Sequence, residues 1–266
     1  MQKKLVKLLV SLVTCFSVFT LVAFADTTHE NSDTITYNDK EYNKSELSQE
    51  TIEWLERYNS LPSDLQDMVN HVPVELRTPV PYSSIGTIDA NVPDPDYTPP
   101  SLLEDLLPTG GSEPVYNPDF WNAPENIKRA NCYAYAMDVI QSFEGKLQPG
   151  QLSGHEYTSL TEDSIITAVK NDGPYLGTGR GIRKVSKNTR PMPKEYKVAL
   201  VIAPDFDYHW YIQNSNGYWS HKRGSNKVSD LDASDNKIVD PETCDRNYGG
   251  SFNYSTFCGY YMVSRR

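Results

Sequence analysis

Beyond residue 23 the 266-residue chain has no apolar run long enough to cross a bilayer. It also lacks any block of Lys and Arg interleaved with aromatic rings, which argues against nucleic acid as a partner. No internal repeat is visible. Cysteine is scarce, at Cys15, Cys132, Cys244 and Cys258.

The first residues differ from the rest. Lys3, Lys4 and Lys7 precede an apolar stretch from Leu8 to Ala23, and Ala23-Phe24-Ala25 then precedes Asp26. This order of basic, apolar and Ala-x-Ala residues marks a cleavable secretory signal peptide over 1–25. The small residues at 23 and 25 favour cleavage over retention as an anchor. A lipoprotein at Cys15 is disfavoured by Thr14, where Gly or Ala is usual. The product is expected to be secreted, extracellular or associated with a cell wall, with no stable membrane anchor after cleavage. Three cysteines then remain, an odd number in an exported chain. Cys244 and Cys258 are close enough in sequence to bridge, which leaves Cys132 alone. The alternative is three reduced, buried thiols.

Charge divides the remainder. Residues 26–120 hold 19 acidic and 4 basic side chains, whereas 121–266 hold 16 and 18. In the acidic half, Ile35-Thr36-Tyr37 and Tyr42 flank Asn38-Asp39-Lys40, which suits a short hairpin. Ser48 caps a helix carrying Ile52, Trp54, Leu55 and Tyr58. Ser63 and Gln66 form a capping box for a second helix with Leu65, Met68, Val69 and Val72 as its stripe, ended by Pro73. Residues 26–78 thus read as an acidic region with a helical hairpin, a pro-region in an enzyme reading. Residues 79–120 are proline-rich and read as a linker, because proline fixes φ and removes donors. Leu102, Leu103, Leu106 and Leu107 are positioned there to dock on a neighbour.

Residues 121–266 read as an α+β domain. The pattern predicts a helix over 131–143 and a second one from Thr161 to Lys170. Strands follow at 197–203, 208–213, 218–222 and 257–263, with a hairpin turn over 214–217. Asp230, Asp232, Ser234 and Asn236 step like a calcium loop, but the required Gly and closing Glu are missing, so a plain acidic turn is expected. Gly177, Gly179 and Gly181 have no phosphate-loop context and read as a flexible loop.

Thiol catalysis requires a thiolate, a base, a group that orients the base, and donors for an oxyanion. Cys132 stands at a predicted helix start, where the dipole lowers a thiol pKa. His209 enters a later strand as the base, and His221 lies across a hairpin as its orienter, with Ser220, Asp207 and Asp240 as substitutes. Asn126 and Asn131 are the oxyanion candidates. His29, His71 and His155 read as surface or loop residues. Whether the two imidazoles share a face depends on register. The bland reading of Cys132 is a packed core thiol, and that of His209 is a satisfied core histidine.

The stretches Asn131-Cys132-Tyr133-Ala134-Tyr135-Ala136, Tyr208-His209-Trp210-Tyr211 and Trp219-Ser220-His221-Lys222 resemble the papain-like cysteine hydrolases, including the NlpC/P60 and CHAP amidases. They also look like a group of uncharacterised exported bacterial proteins. The resemblance implies a papain-like fold, with a leading helix packed on an antiparallel sheet. It further implies a cysteine peptidase or amidase with Cys132 as nucleophile, His209 as base and His221 as third member. A peptide, protein or peptidoglycan substrate and no cofactor would follow. A deamidase or acyltransferase would use the same groups. The other class is a non-catalytic exported binding module, whose 18 Tyr and 4 Trp supply contact surface.

Overall fold

Two runs of residues fix the centre of the molecule: Glu195–Ala203 (β6) and Asp207–Gln213 (β7) are buried along their whole lengths. In the computed structural model, which describes residues 32–81, 83, 85–87, 106–177, 179–250 and 252–265, they pair antiparallel. The other strands among the described residues are Thr34–Tyr37 (β1), Lys40–Asn43 (β2), Ile85–Thr87 (β3), Val139–Gln141 (β4), Arg180–Val185 (β5), Trp219–Lys222 (β8), Val228–Ser229 (β9) and Thr256–Arg265 (β10). Among the described residues, six of these form one antiparallel sheet in the order β5-β10-β6-β7-β8-β9. With few helices beside it, this is an α+β fold.

The helices are Gln49–Ser60 (α1), Ser63–Met68 (α2), Pro118–Trp121 (α3), Cys132–Ala136 (α4) and Glu162–Asp172 (α5). Ser48 caps α1 by accepting from Thr51 N, and Thr161 caps α5 by accepting from Ser164 N. The α2 start corrects the expected capping box. Pro62 holds the cap position without a side-chain bond, and Gln66 Nε2 donates to Leu61 O instead. The expected 131–143 helix is also corrected. It ends at Ala136, Asp138 turns to a φ of 53°, and 139–141 pair with β3. An apolar Val-Ile pair suits a short buried strand as well as a helix, and here a partner strand claims it.

Each face of the sheet is covered. Tyr196, Val198, Leu200, Tyr208, Trp210 and Ile212 face one core with α4 and α5. Ala199, Val201, Ala203, Tyr211 and Trp219 face the other, where Tyr37, Trp54, Leu55, Tyr58, Met68 and Val69 pack. Trp54 Nε1 donates to Phe206 O at 2.8 Å inside this second core. Burying such a side chain contributes about 2–3 kcal/mol. The acidic region is therefore part of the fold, and 34–266 form one compact unit. This corrects the division at 78 and 120. The turn at Asn38 and Asp39 has φ of 48° and 61°, as a two-residue hairpin requires.

The expected linker also joins the body. Ile85–Thr87 is a strand, Leu107 is buried, and Gln213 Nε2 donates to Leu107 O. Gly181 lies within β5 and not in a loop. Residues 1–31 and 88–105, with the expected signal peptide, His29, Leu102 and Leu103, lie outside the described residues. Among those described, no helix is long and apolar enough to cross a membrane.

Candidate functional site

Helix α4 is five residues long and presents Cys132 at its first position. Asn131 caps it, accepting from Ala134 N at 3.2 Å while its Nδ2 donates to Leu147 O at 2.9 Å. The Cys132 thiol is fully buried among the apolar side chains of the first core. Its Sγ stands 4.0 Å from Tyr208 O, and its backbone N–H donates to Asn70 Oδ1 at 3.2 Å. Burial, and next the nearby Asp207 charge, push the thiol well above its ordinary range. Desolvation thus outweighs the dipole of so short a helix.

Strand alternation decides which imidazole this sulfur meets. Tyr208, Trp210 and Ile212 face the Cys132 side. His209 points the other way, with its ring 5.0 Å from Tyr211 and 5.2 Å from Tyr254, both in the second core. His209 therefore leaves β7 on the face away from the Cys132 thiol, and the Asn70 amide reaches both residues.

The structure does bring His209 and His221 together. Asn70 Nδ2 can only donate, so His209 Nδ1 accepts its hydrogen at 3.2 Å. His209 Nε2–H then donates to His221 Nδ1 at 2.9 Å, and His221 Nε2–H donates to Leu231 O at 3.0 Å. This one-way chain requires both rings to be neutral. Burial, then the His221 and Arg223 charges, lower the His209 pKa well below the ordinary value. Burial, then Arg223, lower that of His221 to about 3.

Asn70 is the residue that sequence reading missed. Besides Cys132 N, its Oδ1 accepts from Gly224 N at 3.1 Å, and its own backbone N–H donates to Asp207 at 3.0 and 3.1 Å. Asp207 also accepts from His71 N at 2.6 Å and from Tyr254 OH at 2.7 Å. Burial pushes its carboxyl up to about 6 despite these donors. His71, expected at the surface, is half-buried, with Nδ1 2.5 Å from Tyr157 OH. Tyr157 OH donates to Gln148 Oε1 at 2.8 Å, and Gln148 Nε2 returns to Asn70 O at 2.8 Å. The network is a junction tying the 68–72 segment to α4, β7 and β8. Its one visible signal is a polar pair, Asn70-His71, inside the apolar run from Met68 to Val72.

The remaining candidates are also engaged. Asn126 Nδ2 donates to Phe120 O at 2.9 Å, so each asparagine has one amide N–H committed to a backbone carbonyl. Ser220 bonds Tyr135 OH at 2.7 Å, on the Cys132 side of the sheet, and Asp240 accepts from Tyr260 OH. Cys244 and Cys258 are both free, which corrects the expected bridge. Cys244 packs on the second core and Cys258 in the first, so the sheet lies between them. Asp232 accepts from Ser234 N, Asn236 N and Asp245 N, holding the acidic turn by backbone bonds.

This geometry predicts that Cys132 of the folded protein resists iodoacetamide at pH 6 and at pH 8, and labels fully in denaturant. Mass spectrometry of the 132-containing peptide is the measurement. Rapid labelling of the folded protein at pH 6 would restore an activated thiolate.

No family model matches the chain, and no solved structure does. A curated protein does. Insoluble matrix shell protein 1 of Ruditapes philippinarum is 34% identical over 151 residues, which cover 57% of this chain and 90% of that protein. This corrects the expectation of a bacterial hydrolase, because the relative is a mollusc's shell matrix protein.

Proposed function

Since the chain belongs to the family of that insoluble matrix shell protein, we propose that it is an exported, non-catalytic interaction module that adheres to an insoluble extracellular matrix. The family relation carries this reading, and the surroundings of Cys132 support it. A nucleophile needs a base within hydrogen-bond reach and free donors for an oxyanion. Here the imidazole turns to the other face of β7 and is bonded to Asn70 and His221, and the Cys132 and Ala134 N–H groups already donate to Asn70 and Asn131. A deamidase or acyltransferase would need the same missing thiolate. The order of α4 before antiparallel β6, β7 and β8 we read as papain-like in layout, a scaffold without the papain chemistry. Its partners are insoluble polysaccharide or protein.

The test is co-sedimentation of the exported chain with washed chitin, cellulose and peptidoglycan particles, for the parent and for Cys132→Ala. Both proteins should partition equally into at least one pellet, with no amide cleavage in the supernatant. Failure to enter any pellet, or cleavage that Cys132→Ala abolishes, would overturn the proposal.

A further inference from the structure

A groove of about 360 Å³ opens between the β1–β2 hairpin, α1, α2 and residues 143–148. Its volume is in the range of small-ligand sites. Tyr37, Lys40 and Tyr42 line it from the hairpin. Tyr37 and Lys40 are cross-strand partners, and Tyr42 follows Lys40 by two residues. The hairpin therefore offers the groove a face of side chains and not its edge of free backbone groups. Such a wall suits a ligand with flat apolar faces better than an extended peptide that needs strand pairing.

The polar groups on the wall carry both signs. Lys40 rests 4.6 Å over the Tyr42 ring, and Lys146 Nζ donates to Gln66 O at 3.3 Å. Asp67 and Glu144 line the same groove and form no ion pair among the described residues. Arg77 supplies a further observation. Its side chain is 3% exposed and pairs with Glu156 through Nη1, yet its Nη2 finds no acceptor among the described residues. A ligand here accepts from Lys40 and Lys146, donates to Asp67 and Glu144, and stacks on tyrosine, while Arg77 Nη2 stays enclosed behind the wall. Hydroxyl groups do the first two at once, and the C–H faces of a pyranose ring do the third.

We infer that this groove is a saccharide-binding site, accepting a short stretch of a hydroxyl-rich polysaccharide. The inference rests on the matrix-adhesion reading and names the chemistry of its partner. Lys40 is exposed, whereas Tyr42 is half-buried and touches the rim of the second core, so the fold of Tyr42→Ala is checked by its melting curve.

The experiment is saturation-transfer NMR and titration calorimetry with soluble N-acetylglucosamine and glucose oligomers, with a mixed-sequence pentapeptide as control. Tyr42→Ala and Lys40→Ala are compared with the parent, and matched melting curves certify their folding. Oligosaccharide binding that falls about tenfold in Tyr42→Ala is the expected result. No oligosaccharide binding, binding unchanged in both variants, or preference for the peptide would overturn the inference. The same variants are sedimented with the particles. Parent and variants pelleting alike would sink the groove while leaving matrix adhesion standing, whereas a parent that never pellets sinks the adhesion reading itself.

Discussion

Asn70→Ala should lower the unfolding free energy by about 4 kcal/mol. Truncation removes the acceptor of the Cys132 and Gly224 N–H groups and the donor to His209 Nδ1. All three sit in buried residues, and each unsatisfied group costs about 1–3 kcal/mol, partly relieved by relaxation. The site cannot relax far. Gly224 has a φ of 51°, and a Cβ there would lie 2.0 Å from Asp67 O, so the end of α2 and the β8–β9 turn already touch. Urea unfolding monitored by tryptophan fluorescence measures the effect, with an unchanged m-value required for a pure stability change. Asn59→Ala is the contrast. Its Nδ2 also donates to a backbone carbonyl, Thr36 O at 2.9 Å, but at an exposed position, and its loss should stay below about 1 kcal/mol. A similarly small loss at Asn70 would mean that water replaces the junction.

What could be read from the sequence was whatever neighbours along the chain decide. Ser48 and Thr161 cap their helices because a hydroxyl reaches a backbone N–H three residues on, and Asn38-Asp39 turns because both tolerate positive φ. The long strands followed from their apolar runs. The site was obscured because its geometry depends on contacts that no local pattern encodes. His209 and Tyr208 are adjacent letters, yet the pleat sends them to different cores, and only the partner of Tyr208 shows which side holds Cys132. The Cys244–Cys258 pairing failed for the same reason. Asn70 lies 62 residues before Cys132 and 139 before His209, so its role as their common partner has no spacing signature. The acidic composition of 26–120 suggested a separable segment, but Trp54, Leu55 and Val69 in that region are core residues of the sheet's second face. Composition reports the solvent side of a layer and says little about what its buried side touches.

Acidification from pH 7 to pH 5 should cost the folded protein about 3 kcal/mol. His209, His221 and His71 all have folded pKa values lowered by burial. Their unfolded counterparts take up protons from about pH 6.5 downward. The unfolded state therefore binds more protons, and stability falls with pH, by about 2 kcal/mol for each fully buried histidine over this window. Three carboxyls act in the opposite sense, and burial raises that of Asp138 as it does the other two. Asp207 and Asp172 are pushed up to about 6, so the native state gains their protons first and recovers about 1 kcal/mol each. About 6 kcal/mol lost from the three histidines against about 1 kcal/mol returned by each of the three carboxyls leaves a net loss of about 3 kcal/mol. The histidine share is isolated by His221→Asn, which removes one titrating ring and keeps an acceptor for His209 Nε2–H. Its stability at pH 7 will drop, but its further loss between pH 7 and pH 5 should be smaller than the parent's by about 2 kcal/mol. Urea titrations at the two pH values give both differences. A parent whose stability is flat or rises toward pH 5 would show that the pair is not held neutral, and with it the one-way chain from Asn70 to Leu231 would fall.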